Sequence, residues 1–396
     1  MSNKNLTIEE AFELVESNVI PTQISILCKT TNALGLVLAE DVSSPINMPP
    51  FRQSAMDGYA LNIHHGSSYK IIDEVKAGDG HHPILKIGDA VRIFTGSAVP
   101  NTANTVVIQE KVTADKNQLQ LNNPVKLKEN IRSKGEQIKE GDIALKKGTK
   151  LTPAAIGFLL TLGIIEVTVF KKPKIGLVIT GNELIKAGQP LSYGKIYESN
   201  SGMLYTGLLG LGYTDVTQYK VKDDYNSTVM ILDKVISEND MILITGGISV
   251  GDYDFVGKAL LELGTEQVFY RVKQKPGKPL FFGKIKNKPI FALPGNPASA
   301  LSNFYVYVHP ALEKLSGNLN FSINKGKAFL SDEYLKKGNR AHFLKACHKN
   351  GEVSILEGQS SAMLHTFAIA NAIVYIPGEV SKYSKGDLIT VLHLPV

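Results

Sequence analysis

The chain has 396 residues, 43% hydrophobic and 20% charged, a balance typical of soluble globular proteins and a length that calls for two to four domains. Its formal net charge of +6 is spread along the chain, which favours a small anionic ligand and argues against a nucleic-acid partner. Cys28 and Cys347 are the two cysteines and have no metal-ligand spacing, no run of about 20 apolar residues marks a membrane span, and the polar N-terminus lacks a signal-peptide core, so a reducing, cytoplasmic setting is expected.

In chain order, residues 7–19 predict a helix. Thr7 and Glu10 can form a capping box, and Ile8, Ala11, Phe12, Val15 and Val19 recur at helical spacing. From about 44 to 141, short alternating runs such as VRIF, TVVIQE and QLQL sit between Gly, Pro and Asn clusters, the pattern of an all-β module. Segment 152–163 predicts a second helix, capped by Thr152 with Pro153 at its first position. Its apolar density predicts burial. After Pro173 the rhythm becomes strand, loop, helix. Residues 174–180, 240–245 and 289–293 read as buried parallel strands, and 200–211, 226–238, 254–263 and 298–315 as helices. From about 321 onward short strands return.

The fold class expected is therefore multidomain α/β plus β, centred on a parallel, doubly wound α/β domain over 173–320. A β module (44–141) is inserted into an N-terminal helical and linker region (1–43 and 142–172). A small, barrel-like β domain (321–396) closes the chain.

Three loops lie where the parallel strands end: Thr180-Gly181-Asn182-Glu183; Thr245 to Asp252, with Gly246, Gly247, Ser249 and Gly251; and Leu293 to Ser299, with Pro294, Gly295, Asn296 and Pro297. Ligands of open parallel sheets bind at such ends. Glycine lets backbone N–H groups approach an anion, and a following helix N-terminus adds partial positive charge. Neither a P-loop nor a dinucleotide fingerprint is present. Arg271, Lys273 and Lys275 alternate, which on a strand projects them to one face, and the Pro-Gly turn holds Lys278 nearby; the stretch is readable as a guarded edge strand or as a phosphate clamp. Glu183, Asp223, Asp224, Asp252 and Asp254 fall on the same rim, where hard oxygens beside phosphate point to Mg²⁺. Capping of 226–238 accounts equally well for one of the Asp223-Asp224 pair. In the β module, Asp57-Gly58 by itself reads as a hairpin turn.

Taken in order, FRQSAMDGYA (51–60), IFTGSAVP (93–100), NIRSKGE (130–136), TGNEL (180–184), ITGGISVGDYD (244–254), KPGKP (275–279) and LPGNPASA (293–300) resemble the molybdopterin molybdenumtransferase family, which includes the E domain of gephyrin. The resemblance runs from about 7 to 394. It implies insertion of molybdenum from molybdate into adenylated molybdopterin, with Mg²⁺-dependent release of AMP. It also implies a homodimer whose cleft is shared between the α/β domain of one subunit and the β module of the other. The adenylyltransferase that makes the substrate, and enzymes that accept the cofactor, are implied as partners.

By the same resemblance, Asp57, Thr95, Glu183, Asp223, Asp254, Arg271 and Lys275 are the catalytic set, with Glu183, Asp223 and Asp254 as metal ligands. Lys345 and Ser361 face the cleft with the glycine-rich loops and Lys278. The chain departs from the family pattern at Gln137, Asn182 and Glu198, where acids or Asp are usual. Two rival functions follow from related folds. An adenylyltransferase leaves 1–170 and 321–396 unexplained, and a gephyrin-like scaffold usually needs fused domains.

Overall fold

The computed structural model describes residues 5–248 and 255–395. Two compact units emerge: Met1–Ile26, Gly35–Ala39 and Thr168–Val396 form one, and Leu27–Leu34 with Glu40–Val167 form the other. Helix α1 (Ile8–Asn18) begins with the expected capping box. Thr7 Oγ1 accepts the Glu10 N–H and Glu10 Oε2 accepts the Thr7 N–H at 2.8 Å.

The smaller unit is built on a six-stranded sheet. Its strands are β1 (Gly58–Leu61), β2 (Ser68–Val75), β3 (Asp89–Ile93), β4 (Thr105–Ile108), β5 (Val112–Asp115) and β6 (Gln118–Leu121). Their order is β4-β1-β3-β2-β6-β5, antiparallel except for the β2–β3 pair. Ala60, Val91, Ile93 and Val106 fill one core, and Leu61, Tyr69, Ala90 and Val107 another. Helix α2 (Pro153–Thr161) has Thr152 accepting from Ala155 N–H and Pro153 in its first turn, as predicted. It is less buried than its apolar density predicts: Leu159 is its one buried residue and Leu160 is 41% exposed. Apolar content alone does not say whether a helix faces a core or an unfilled surface.

The larger unit contains the α/β domain. Its strands are β7 (Ile175–Thr180), β8 (Val216–Val221), β9 (Met241–Thr245), β10 (Glu266–Arg271), β12 (Pro279–Ile285) and β13 (Lys288–Leu293), with the two-residue β11 (Gln274–Lys275) standing apart. The sheet order is β8-β7-β9-β13-β12-β10. The first four run parallel, and the hairpin β12–β13 and the β10–β12 pair are antiparallel. Alternate residues serve two cores. Ile175, Leu177 and Ile179 pack with α1 and with Leu204 and Leu208 of α3 (Asn200–Gly210). Val178, Ile242 and Ile244 pack with α4 (Tyr225–Glu238) and α5 (Phe255–Glu262). The sheet is thus covered on both faces, as continuous apolar strands require. The helix expected over 298–315 is α6 (Pro297–Asn303) and α7 (His309–Leu315), joined by a π-helical turn at Phe304–Val308.

The last segment closes into a five-stranded barrel. β14 (Lys325–Leu330), β15 (Ala341–Lys349), β16 (Glu352–Ile355), β17 (Ala372–Ile376) and β18 (Leu388–His393) follow the order β15-β16-β14-β18-β17, and β17 pairs back to β15. Strand β11 adds to its edge, with Lys275 opposite His342. That pairing carries the basic turn after β11 to the mouth of the barrel.

His342 is buried, and its Nδ1 lies 2.9 Å from Tyr334 Oη. Burial, followed by the charges of Lys275, Lys336 and Arg340, pushes the imidazole down to about 4. Between its ordinary value of 6.5 and about 4, the unfolded chain binds a proton that the folded chain refuses. Stability is therefore lost as pH falls through that window. Denaturant titrations at pH 6.5 and 4.5 should show a smaller acid loss for His342→Gln than for the parent. Equal losses would remove His342 from the acid response.

Candidate active site

The strand ends open into a cavity of about 1090 Å³. Thr180 ends β7 and Gly181 follows it, Gly246 and Gly247 follow β9, and Pro294, Gly295, Asn296, Pro297 and Ser299 follow β13; all nine line it. The backbone at these loops is tight. Gly246 and Gly247 have φ of +90° and +65°, and a Cβ on Gly246 would stand 2.6 Å from the Thr180 carbonyl oxygen. Only glycine fits both constraints. Asn200, at the start of α3, ties two of the loops together. Its Nδ2 donates to Thr245 Oγ1 and to the Gly295 carbonyl, each at 2.8 Å. The carbonyl can only accept, which fixes the amide orientation.

Lys275 and Lys278 line the same cavity. The turn between them hangs on Gln274, a fully buried amide. Its Nε2 donates to the carbonyls of Pro276 (3.2 Å) and Gly277 (3.1 Å) and to Asn303 Oδ1 (2.7 Å), while its Oε1 accepts from Tyr307 Oη (2.6 Å). Arg271 ends β10 and is absent from the cavity wall. The expected alternation fails because the strand breaks at Val272–Lys273, where the chain turns to bridge Leu6.

The acids separate by role. Asp224 caps α4, accepting from Ser227 N–H at 3.0 Å. The hydroxyl and amide of Ser227 hold its carboxyl below the ordinary range. Asp223 lines the cavity with Glu183. Asn182 holds Asp223: its N–H donates to Asp223 Oδ2 (2.8 Å), and its Oδ1 accepts the Asp223 N–H (3.2 Å). The amide at 182 thus preserves the acceptor that a carboxylate would supply. Glu198 is committed to Ser201, accepting from its N–H at 2.8 Å. Asp252 and Asp254, with Ser249 and Gly251, lie outside the described residues.

Among the described residues no three His, Cys, Asp or Glu side chains cluster as a metal site. The carboxylates of Glu183 and Asp223 nevertheless suit Mg²⁺, which takes one or two protein carboxylates and completes its shell with phosphate oxygens and water.

The barrel supplies Arg340, Gln359, Ser360 and Ser361 to the cavity. Lys345 sits beneath this wall. It is 2% exposed, and its ammonium donates to the carbonyls of Gly358 (2.7 Å), Ser360 (3.2 Å) and Met363 (3.0 Å). All three of its protons are engaged, and burial lowers its pKa. It shapes the loop, whereas Ser361 faces the ligand space. Asn296 Nδ2 donates to Ser361 Oγ (3.1 Å), and the Ser361 carbonyl accepts from Ala298 N–H (3.1 Å). Gln274 and Asn200 escaped sequence reasoning because Gln274 pairs with Asn303 and Tyr307 and Asn200 with Thr245 and Gly295, all remote in sequence. Arg340, which sequence reasoning also missed, stands immediately before β15 and beside a Gly-Asn turn, the one local signal.

In the β module, Asp57 Oδ1 accepts both the N–H (2.7 Å) and the hydroxyl (2.8 Å) of Thr95. These bonds, the backbone one first, lower its pKa, with a smaller pull from Arg92. Asp57 is therefore an exposed, oriented carboxylate, and Thr95 is the donor that orients it. Gly58 is no hairpin residue. It opens β1 between β3 and β4, where a Cβ would stand 1.9 Å from the Val107 carbonyl oxygen.

Residues 6–163 match the MoeA N-terminal region (domain I and II), 176–314 a probable molybdopterin binding domain, and 327–394 the MoeA C-terminal region (domain IV). The molybdopterin molybdenumtransferase of Haemophilus influenzae is 32% identical over 397 residues, covering 98% of each chain. This chain belongs to the molybdopterin molybdenumtransferase family. The Staphylococcus epidermidis relative of the same name is 30% identical, over 98% of this chain and 95% of its own. The crystal structure of the molybdopterin biosynthesis moeA protein from Pyrococcus horikoshii OT3 superposes with a TM-score of 0.86 at 30% identity, covering 99% of this chain and all of that one. Family members are transferases, and most of the cavity wall lies in the segment matched as the probable molybdopterin binding domain, with Arg340 and residues 359–362 contributed by the matched C-terminal region.

Replacing Lys345 with Met should free the loop at 358–363 and release the Ala298 amide from Ser361. Hydrogen exchange at Ala298 should quicken by about tenfold, as loss of a pinned contact worth about 1.4 kcal/mol would allow. Unchanged exchange would mean that Lys345 does not hold the loop.

Proposed function

We propose that the chain inserts molybdenum from molybdate into adenylated molybdopterin, with cleavage of the phosphoanhydride and release of AMP. The observation that carries this is the convergence of three glycine-rich strand-end loops, the Lys275–Lys278 turn and the carboxylates of Glu183 and Asp223 on one cavity. Backbone N–H groups and lysines suit the phosphates, and the size suits an extended ligand. Arg340, Ser361 and the lysines offer donors for the molybdate oxyanion. Glu183 and Asp223, with Asp254, are the proposed Mg²⁺ ligands. When bound, the ion offsets negative charge on the departing phosphate. The adenylyltransferase alternative would account for the α/β domain alone, whereas the family matches extend over both flanking regions.

Asp57 is the proposed general base or metal-site partner, delivered into the cavity by the second copy in a homodimer. Thr95 keeps it ionised and oriented. Leu27, Leu34 and Ile165, which are 66%, 59% and 72% exposed, support such a dimer, since association would remove these apolar side chains from water. No helix among the described residues is long and apolar enough to cross a membrane. A cytoplasmic location, and contact with the adenylyltransferase and with cofactor-accepting enzymes, complete the proposal.

Purified protein given adenylated molybdopterin, molybdate and Mg²⁺ should release AMP and yield cofactor that activates an apo-molybdoenzyme. Absence of molybdate-dependent AMP release would refute the assignment. Asp57→Ala should lower the rate by about 10²-fold or more with its melting temperature unchanged; an unchanged rate would remove Asp57 from the chemistry. Mixed dimers of Asp57→Ala and Lys275→Ala subunits should recover activity if the cleft is shared, because one cleft then keeps both groups. Ile165→Asp should shift the sedimentation profile from dimer to monomer, and an unaltered dimer would place the interface elsewhere.

A further inference from the structure

A segment leaves the end of β7, crosses the cavity rim and returns to α3. Its two limbs, Leu184–Ile185 and Ile196–Tyr197, pair in parallel with Ile185 opposite Tyr197. Main-chain bonds from Ile196 N–H to the Glu183 carbonyl (3.0 Å) and from Glu198 N–H to the Ile185 carbonyl (2.8 Å) hold the return limb in place. Tyr197 Oη donates to the Gln189 carbonyl at 2.9 Å, which fixes the far end of the ring. Tyr197 lines the cavity and is still 44% exposed. Tyr193, at the tip of the same segment, is fully exposed and absent from the cavity wall. Among the described residues that line the cavity, Tyr197 is the one aromatic.

The wall is otherwise made of glycine, proline, hydroxyl, amide and charged groups, with a few aliphatic side chains. Such groups bind phosphate and oxyanion well but give little hold on a flat heteroaromatic ring. A rigid ring with an open face supplies that hold by stacking. Leu184 and Ile196 stand beside it on the wall and offer an apolar border. We infer that Tyr197 is the stacking platform for one planar ring of the substrate, which presupposes the adenylated pterin proposed above. The shared chemistry is a purine or a pterin, each a fused nitrogen heterocycle with an anionic tail that reaches the glycine-rich loops.

The test is calorimetric titration of the full-length protein and its Tyr197→Phe and Tyr197→Leu variants with AMP, adenylated molybdopterin and ring-free pyrophosphate. Tyr197→Phe keeps the ring and should bind within about twofold of the parent. Tyr197→Leu should bind at least one ring-bearing ligand about tenfold more weakly and pyrophosphate unchanged. A loss with AMP places adenine on Tyr197; a loss confined to adenylated molybdopterin places the pterin there. Equal weakening by Phe and Leu, or weakened pyrophosphate binding, would reduce Tyr197 to a tether for the segment and overturn the inference. So would unaltered binding in the Leu variant. Lys275→Ala separates this failure from that of the proposed function: if the parent binds none of the three ligands and Lys275→Ala changes nothing, the substrate assignment itself fails.

Discussion

One amide joins the parts of this site. Asn200 Nδ2 reaches the hydroxyl of Thr245 and the carbonyl of Gly295, so the start of α3 is tied to the end of β9 and to the loop after β13. The loops themselves can approach closely because Gly246 faces the Thr180 carbonyl without a side chain. A phosphate cradle needs its N–H groups held in place before the ligand arrives, since ordering them on binding would oppose affinity. Asn200, itself part of the cavity wall, provides that order through its bonds to Thr245 and Gly295.

Two further supports repeat the pattern. Gln274 holds the carbonyls of the Lys275–Lys278 turn from within the core, and Lys345 holds three carbonyls of the barrel loop. Lys345 bonds main-chain carbonyls alone, while Gln274 bonds two carbonyls and the side chains of Asn303 and Tyr307, so both groups removed from water are hydrogen-bonded. The groups left facing the cavity are the ones with chemistry to offer: Lys275, Lys278, Arg340, Ser361, Glu183 and Asp223. Asp57 follows the same rule in its own unit, where Thr95 supplies both donors that hold it.

Much of this was legible in the sequence because it is local. The capping box of α1, the Thr152–Pro153 start of α2 and the three glycine-rich loops depend on neighbours within a few residues. Asp223 and Asp224 were indistinguishable in sequence, and the structure divides them into a cavity acid and a helix cap. Strand β8 was missed because it is an edge strand with only Val221 buried, so its apolar pattern is weak. The alternation read through Arg271, Lys273 and Lys275 failed because the chain bends between β10 and β11. Asn200 and Gln274 were invisible for a different reason: Asn200 reaches Thr245 and Gly295, and Gln274 reaches Asn303 and Tyr307, tens of residues away, and no spacing rule encodes such pairs.

The central claim is that the cavity at the strand ends holds the phosphates of adenylated molybdopterin. A crystal structure of the protein with that molecule and Mg²⁺ tests it most directly. The account predicts phosphate oxygens within hydrogen-bond reach of Gly246, Gly247 and Lys275, with the metal on Glu183 or Asp223. Phosphates bound elsewhere, with the strand-end cavity holding only water, would contradict it.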